Sequence, residues 1–323
     1  MIINAASNTN RTDILINEYL KLLNKGIEAE NILVIVQNSK KKKEFIEKIK
    51  KYSKTGNIGC LKVFSFYGLA YNYILENWAL VENSIQDDIN RKISPNLCGM
   101  EVSQYIFKEC IKEIDFSGYN SKTSLLHQLL RRNSLINLNN LSKEELKKRV
   151  DILNESYSQE ANQAINKYKL KTIEKRAFDY IRQLNIFEFL YKKTKNSFEY
   201  VFLDDADEIT PAVVAFLEEI KPTVKEFFIG YDKQGSSRLG YLGAINIDFE
   251  KFLNEKEQII ISNEEKFKNA QNILNSIRKN EEIGLDNITS KTFLKRNEMI
   301  DEVLSDIKIL INNGIKPSEI SII

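Results

Sequence analysis

Residues 200–220 read YVFLDDADEITPAVVAFLEEI, and this stretch decides the architecture. Tyr200 to Leu203 is an apolar run without polar alternation, which fits a strand covered on both faces. It breaks into Asp204-Asp205-Ala206-Asp207-Glu208, so four carboxylates fall in a five-residue window. Pro211 then opens a helix, because proline at the first helical position forfeits no hydrogen bond. Strand, acidic turn and helix in that order put the carboxylates at the carboxyl end of a sheet, where ligands of such sheets bind. One Asp there can hold Mg²⁺, and an acidic neighbour can orient or deprotonate a water. The same residues equally suit an acidic turn before a helix N-terminus, which the helix dipole favours.

The pattern continues on both sides. Ile2-Ile3 is a short apolar start that runs into a polar turn, Asn4 to Asn10. A helix follows with Ile14, Leu15, Tyr19, Leu22 and Leu23 on one face and Gly26 as its C-cap. ILVIV (32–36) reads as a buried strand, 40–52 as a lysine-rich helix, and Leu61 to Phe66 as a further strand. Glu226 to Gly230 and Gln258 to Ile261 read as strands, and Phe267 to Ile277 as helical. Met299 to Ile311 is an amphipathic helix ended by Gly314, and ISII (320–323) reads as a strand. This alternation predicts an α/β fold with a parallel, doubly wound sheet. Residues 85–195 lack a strand run and show helical spacing (Leu184, Phe187, Phe189, Leu190) and a capping box at Ser142-Lys143-Glu144-Glu145. They predict an all-α insertion.

Composition narrows the chemistry. The chain has 323 residues, 42% hydrophobic and 28% charged, which excludes bulk disorder and a membrane-embedded fold. No apolar run is long enough to span a bilayer and no signal peptide is visible, so a cytoplasmic location and no membrane partner are expected. Three separated cysteines do not suggest a disulfide framework. His127 is the only histidine, which closes off Ser-His-Asp triads and multi-histidine metal sites. Lys and Arg number 47 against 45 Asp and Glu, so any basic surface must be local.

Two more segments can carry chemistry. The turn Ala5 to Thr12 sits between a strand and a helix N-terminus, the position of a phosphate-binding loop. Such a loop ends in Gly, Lys and Ser/Thr; here the residues are Asn10, Arg11 and Thr12. A polar turn that caps a helix is the alternative. Phe227 to Gln234, FFIGYDKQ, ends a strand in a polar turn with Gln234 exposed, and a plain surface turn accounts for it equally.

Together with their surroundings these segments resemble the N-terminal part of the UvrD/PcrA/Rep family of superfamily 1 DNA helicases. NILVIVQNSKKKKEFIEKI is similar to that family's second strand and following helix, and VFSFYGLA (63–70) to its T-F-H-x-hydrophobic-A segment. FLDDADEITPAVVAFLEEI resembles the D-E-x-Q-D signature, FFIGYDKQ the G-D-x-x-Q motif, and IIISNEEK the start of L-x-x-N-Y-R-S. The resemblance implies a RecA-like P-loop NTPase fold. Domain 1A would comprise 1–84 and 196–255, a 1B-like helical insertion 85–195, and the start of a 2A-like domain 256–323. It implies ATP and Mg²⁺ as cofactors and 3′–5′ translocation on DNA. Asn10, Arg11, Thr12 and Asp204 would contact the nucleotide, with Thr12 and Asp204 on the metal. Asp205 would position the attacking water and Gln234 would sense the γ-phosphate. DNA, single-stranded or at a junction, would meet Lys40, Lys41, Ser65, Phe66 and Tyr67.

The departures from that pattern have physical consequences. Asn8 and Asn10 stand at glycine positions, where a Cβ crowds the approach of backbone to phosphate. Arg11 stands for lysine, and a planar fork is not equivalent to a compact ammonium. Asp205 stands for the catalytic Glu and is one methylene shorter. Tyr231 replaces the Asp of the G-D pair, and Glu265 stands where the family places an arginine on the transferring phosphoryl group. The expectation is a helicase homologue with degenerate ATPase motifs that acts in DNA repair or recombination as a DNA-binding or scaffolding protein. A protein partner in a helicase–nuclease-type complex is also expected. The alternatives are a divergent ATP-dependent 3′–5′ helicase of which this chain is an N-terminal fragment, and a module that binds ATP without hydrolysing it.

Overall fold

Short apolar runs become strands here because helices cover both of their faces. The strands are β1 (Ile2–Ala5), β2 (Ile32–Val36), β3 (Lys62–Ser65), β4 (Asn96–Leu97), β5 (Ala177–Phe178), β6 (Tyr200–Leu203), β7 (Glu226–Tyr231) and β8 (Gln258–Ile261). The computed structural model describes residues 1–5, 10–53, 58–82, 95–116, 121–142, 144–148, 158–232, 258–261 and 291–322. Six strands form one sheet in the order β3-β2-β6-β7-β1-β8, and each pairing in it is parallel. This is the α/β architecture expected.

The helices are α1 (Arg11–Asn24), α2 (Ser39–Tyr52), α3 (Phe66–Glu82), α4 (Met100–Lys112), α5 (Lys122–Leu138), α6 (Ser158–Glu174), α7 (Tyr180–Tyr191), α8 (Pro211–Ile220) and α9 (Arg296–Asn312). Every residue of β2 is buried, and the period of two splits them between two cores. Ile32, Val34 and Val36 join Leu15, Ile16 and Tyr19 of α1 and Phe45 and Ile49 of α2. Leu33 and Ile35 join Leu69 of α3, Phe187 of α7 and Phe216 of α8 on the other face. Covering a parallel sheet on both faces leaves only its strand ends open, and those ends carry the chemistry.

The helical segment has its own core of α4, α5 and α6, where Phe107 stacks on Tyr168 with ring centroids 3.9 Å apart. The Ser142 capping box is formed: Ser142 N–H donates to Glu145 Oε2 at 2.9 Å, and Glu145 N–H donates to Ser142 Oγ at 3.1 Å. Gly26 and Gly314 take the positive φ expected of helix C-caps.

The structure adds to the expectation or departs from it in four places. β4 and β5 pair in parallel inside the segment read as all-α, each only two residues long and too short for any periodic signal. α7 places Ile181, Leu184 and Phe187 in the core under the sheet, so this end of the insertion belongs to the sheet's packing. β8 pairs with β1 from Ile2↔Gln258 to Ala5↔Ile261, and the chain divides into the compact units Met1–Ser262 and Asn263–Ile323. Residues 320–322 form no strand, because among the described residues they have no ladder partner. The helix read at 267–277 lies outside the described residues. Among the described residues no helix is long and apolar enough to cross a membrane.

Candidate functional site

β1 ends at Ala5 and α1 begins at Arg11, so the end of one strand and the first turn of one helix face the end of β6. Asn10 caps α1 without a side-chain hydrogen bond. Ala6 to Thr9 lie outside the described residues, as do Gln234 and Glu265. β6 delivers Asp204 and Asp205, and the chain turns there through Asp205 in the left-handed region (φ 55°, ψ 46°). That conformation is one Asp tolerates better than most residues, and it aims the following residues into a 3₁₀ turn.

Arg11 is the centre of this group and is only 3% exposed. Its Nη1 donates to the carbonyl of Ala5 at 3.0 Å, and its Nη2 donates to Asp205 Oδ1. Its Nε lies 3.6 Å from Asp204 Oδ1, and Nη1 lies 3.6 Å from Asp207 Oδ1. Thr12 Oγ1 donates to Asp204 Oδ2 at 2.8 Å. Asp207 also accepts the Asp232 N–H at 2.8 Å, which ties the acidic turn to the end of β7.

Gly230 completes the arrangement from below. A Cβ at that position would stand 2.9 Å from both Cγ and Cδ of Arg11 and 3.1 Å from Leu15 Cδ1. The missing side chain is the space in which the arginine stem lies.

Burial raises the Asp204 carboxyl above its ordinary range, and the charge of Asp205 adds to the effect. Arg11, the Thr12 hydroxyl and Lys41 act against it. Burial likewise raises Asp207, against the Asp232 N–H and Arg11.

A second set of residues lies at the same end of the sheet, since β2 and β3 run parallel with Val36 opposite Ser65. Asn38 caps α2, accepting the Lys40 and Lys41 N–H groups at 3.0 Å each. Lys40 and Lys43 are exposed, Lys41 lies 3.9 Å from Glu44, and Lys42 Nζ stands 4.9 Å above the Phe64 ring. Ser65 Oγ accepts the Gly68 N–H at 3.2 Å and so caps α3. Phe66 packs edge-on to Phe187 at 5.6 Å and lies 6.2 Å from Phe216. Its ring serves the core, which limits what it can offer a nucleobase. Tyr67 meets Tyr180 edge-on at 5.5 Å.

A small cavity of about 50 Å³ joins the two sets, lined by Gln37, Phe66 and Tyr67 on one side and Asp204, Asp205 and Thr210 on the other. A larger cleft of about 710 Å³ opens between α5, α6, α7 and α8, with Asn133, Asn137, Asn162, Asn185 and Phe187 on its walls.

A family model for the UvrD/REP helicase N-terminal domain matches residues 1–239. The chain belongs to that family. No curated protein matches it.

UvrD/REP helicases as a family use ATP and Mg²⁺ and bind DNA. The described residues of this member do not fit a divalent cation beside Asp204. Mg²⁺ asks for oxygen ligands in a near-ideal octahedron at about 2.0–2.1 Å. Here a guanidinium stands among the carboxylates that would have to receive the ion. Among the described residues no group of three or more His, Cys, Asp or Glu could hold a metal ion.

Sequence reading named Arg11, Thr12, Asp204 and Asp205 for this place, and the structure brings them together. It did not name Asp207 as an Arg11 partner or Gly230 as the seat of its stem. The carboxylate window was the available signal for Asp207. Gly230 is visible in the sequence as the glycine of the G-D-x-x-Q resemblance, but its role under the Arg11 stem is not, because it depends on a residue far away in the chain.

Proposed function

We propose that this UvrD/REP family member grips DNA without turning over ATP, and serves as a DNA-binding or scaffolding component in DNA repair or recombination. The observation that carries the reading is the first turn of α2. Four consecutive lysines, Lys40 to Lys43, follow Asn38 and Ser39 there, and the turn holds no acidic residue. A helix N-terminus already bears partial positive charge, so lysines placed there cost stability instead of adding it. Phosphate groups relieve that strain: backbone N–H groups, the helix dipole and ammonium groups all favour an anion. The turn lies at the strand ends beside Ser65 and Tyr67, so a strand of DNA laid across β2 and β3 would meet both. Loss of turnover is supported by Asn10, Arg11 and Asp205 at positions where the family's chemistry asks for Gly, Lys and Glu.

One observation favours a second reading, an ATP-dependent 3′–5′ helicase of which this chain is the N-terminal part. Thr12 and Asp204 keep the family's residue types and touch at 2.8 Å.

Fluorescence anisotropy with a labelled single strand and with a junction, at several salt concentrations, tests the proposal. Binding should weaken linearly on a log–log salt plot and be the same with and without Mg-ATP. The double substitution K40E/K43E should make the slope on single strands shallower by about 0.7 for each phosphate left without its lysine, about 1.4 for the pair. An ATP-dependent change in affinity, or a slope unaffected by the double substitution, would count for the second reading or against both.

A further inference from the structure

We propose that Arg11 is the resident cation of this site. Its guanidinium stands among Asp204, Asp205 and Asp207, where a divalent cation would have to bind, so the chain carries its counter-charge covalently and neither needs nor accepts the metal. The inference rests on the absence of ATP turnover proposed above and is independent of the DNA-binding part of that reading.

Four elements converge on the guanidinium. α1 supplies it, the end of β6 and its turn supply Asp204, Asp205 and Asp207, β1 supplies the Ala5 carbonyl, and β7 supplies the glycine under its stem. Arginine is the one side chain whose donors diverge in a plane, so separate nitrogens can address separate oxygens. Nη2 takes Asp205, Nη1 takes the Ala5 carbonyl and lies near Asp207, and Nε lies near Asp204. A lysine ammonium in that place would have no such reach.

Burial makes the arrangement obligatory. The Arg11 side chain is 4% exposed, and those of Asp204, Asp205 and Asp207 are 1%, 14% and 4% exposed. Buried carboxylates without a cation are strongly disfavoured, so the fold must supply one. With Arg11 in place, an incoming Mg²⁺ would meet a fixed positive charge within ion-pair distance of the same oxygens. The Gly230 seat shows that the stem has a shaped place in the fold and is not lying there by chance.

The test is to remove the guanidinium and offer a metal. Mn²⁺ alone is the probe, read by electron paramagnetic resonance of the free ion and by the thermal midpoint. The wild-type chain should show no midpoint shift and no Mn²⁺ uptake that depends on Asp204. Arg11→Gln should be less stable in metal-free buffer and should acquire Mn²⁺ uptake. Its midpoint should rise by roughly 3 °C at a Mn²⁺ concentration ten times the dissociation constant. Adding Asp204→Asn to Arg11→Gln should abolish both gains. If Arg11→Gln does not fold, Arg11→Met decides, since it fills the seat of the stem and brings no charge. A Mn²⁺-dependent rise in its midpoint supports the proposal, and an unchanged midpoint overturns it. Asp204-dependent Mn²⁺ binding by the wild-type chain, or none by a folded Arg11→Gln, also overturns it. Neither outcome bears on salt-dependent DNA binding, and a failure to bind DNA leaves the Mn²⁺ result standing.

Discussion

Asp204 sits at the junction of two demands, burial at the end of β6 and charge balance with Arg11. Its carboxyl is raised above the ordinary value by burial and by Asp205, and the opposing contributions of Arg11, Thr12 and Lys41 do not cancel that rise. A carboxyl whose folded value exceeds its unfolded value binds its proton more tightly in the native state. Its stabilising contribution is therefore complete below the unfolded value, about 3.9, and is lost as pH rises through the folded value. Asp204→Asn cannot titrate and lacks this contribution. Urea denaturation of both proteins from neutral pH down to pH 4 should show the stability difference moving in favour of the wild type as pH falls. A flat difference, or one that moves toward the variant, would show that Asp204 is not held above its usual range. At this scale the sequence was legible in part. Asp204, Asp205, Arg11 and Thr12 could be named because strand ends and helix starts expose particular residue types. The arginine's inward turn could not, since it depends on the side chain that Gly230 lacks.

Elements show the same division. Ser142 announced its capping box because caps act within a few residues, where sequence spacing is spatial spacing. The junction of the helical segment with the sheet could not be read that way. It is built on Asp179, which accepts the Arg182 N–H at 2.8 Å as the cap of α7 and the Ser103 hydroxyl at 2.6 Å from α4. The same carboxylate accepts the buried Tyr168 hydroxyl from α6. Three helices are thus fixed by one side chain, and two of its partners are distant in sequence. Removing it by Asp179→Ala costs a helix cap, typically about 1 kcal/mol, and leaves buried hydroxyls without an acceptor at roughly 1–3 kcal/mol. The expected loss is about 2–4 kcal/mol in urea denaturation. Ala replacement of Ser142, an exposed cap, should cost no more than about 1 kcal/mol. Equal losses at the two positions would show that Asp179 acts only as a cap and does not join the helices.

At the scale of the whole chain, the order β3-β2-β6-β7-β1-β8 gives β1 a neighbour on each side, and the position of β8 has a consequence for where the first unit ends. Alternating strands and helices made a parallel sheet legible from the sequence. They could not tell to which sheet an isolated run such as Gln258–Ile261 belongs, because pairing partners are set by the packing of distant segments. In the structure β8 runs in register with β1 over four residues, from Ile2↔Gln258 to Ala5↔Ile261. Without it β1 becomes an edge strand with one row of N–H and C=O groups unpaired. That matters for the site, because β1 supplies the Ala5 carbonyl that holds Arg11. Two truncated chains separate the possibilities. A chain of residues 1–262 keeps the β8 ladder and is the reference. A chain of residues 1–255 loses the four β8 pairings, worth roughly 0.2–1 kcal/mol each, and should be less stable than 1–262 by about 1–4 kcal/mol. Equal midpoints for the two truncations would return β8 to the second unit and make β1 the true edge of the sheet.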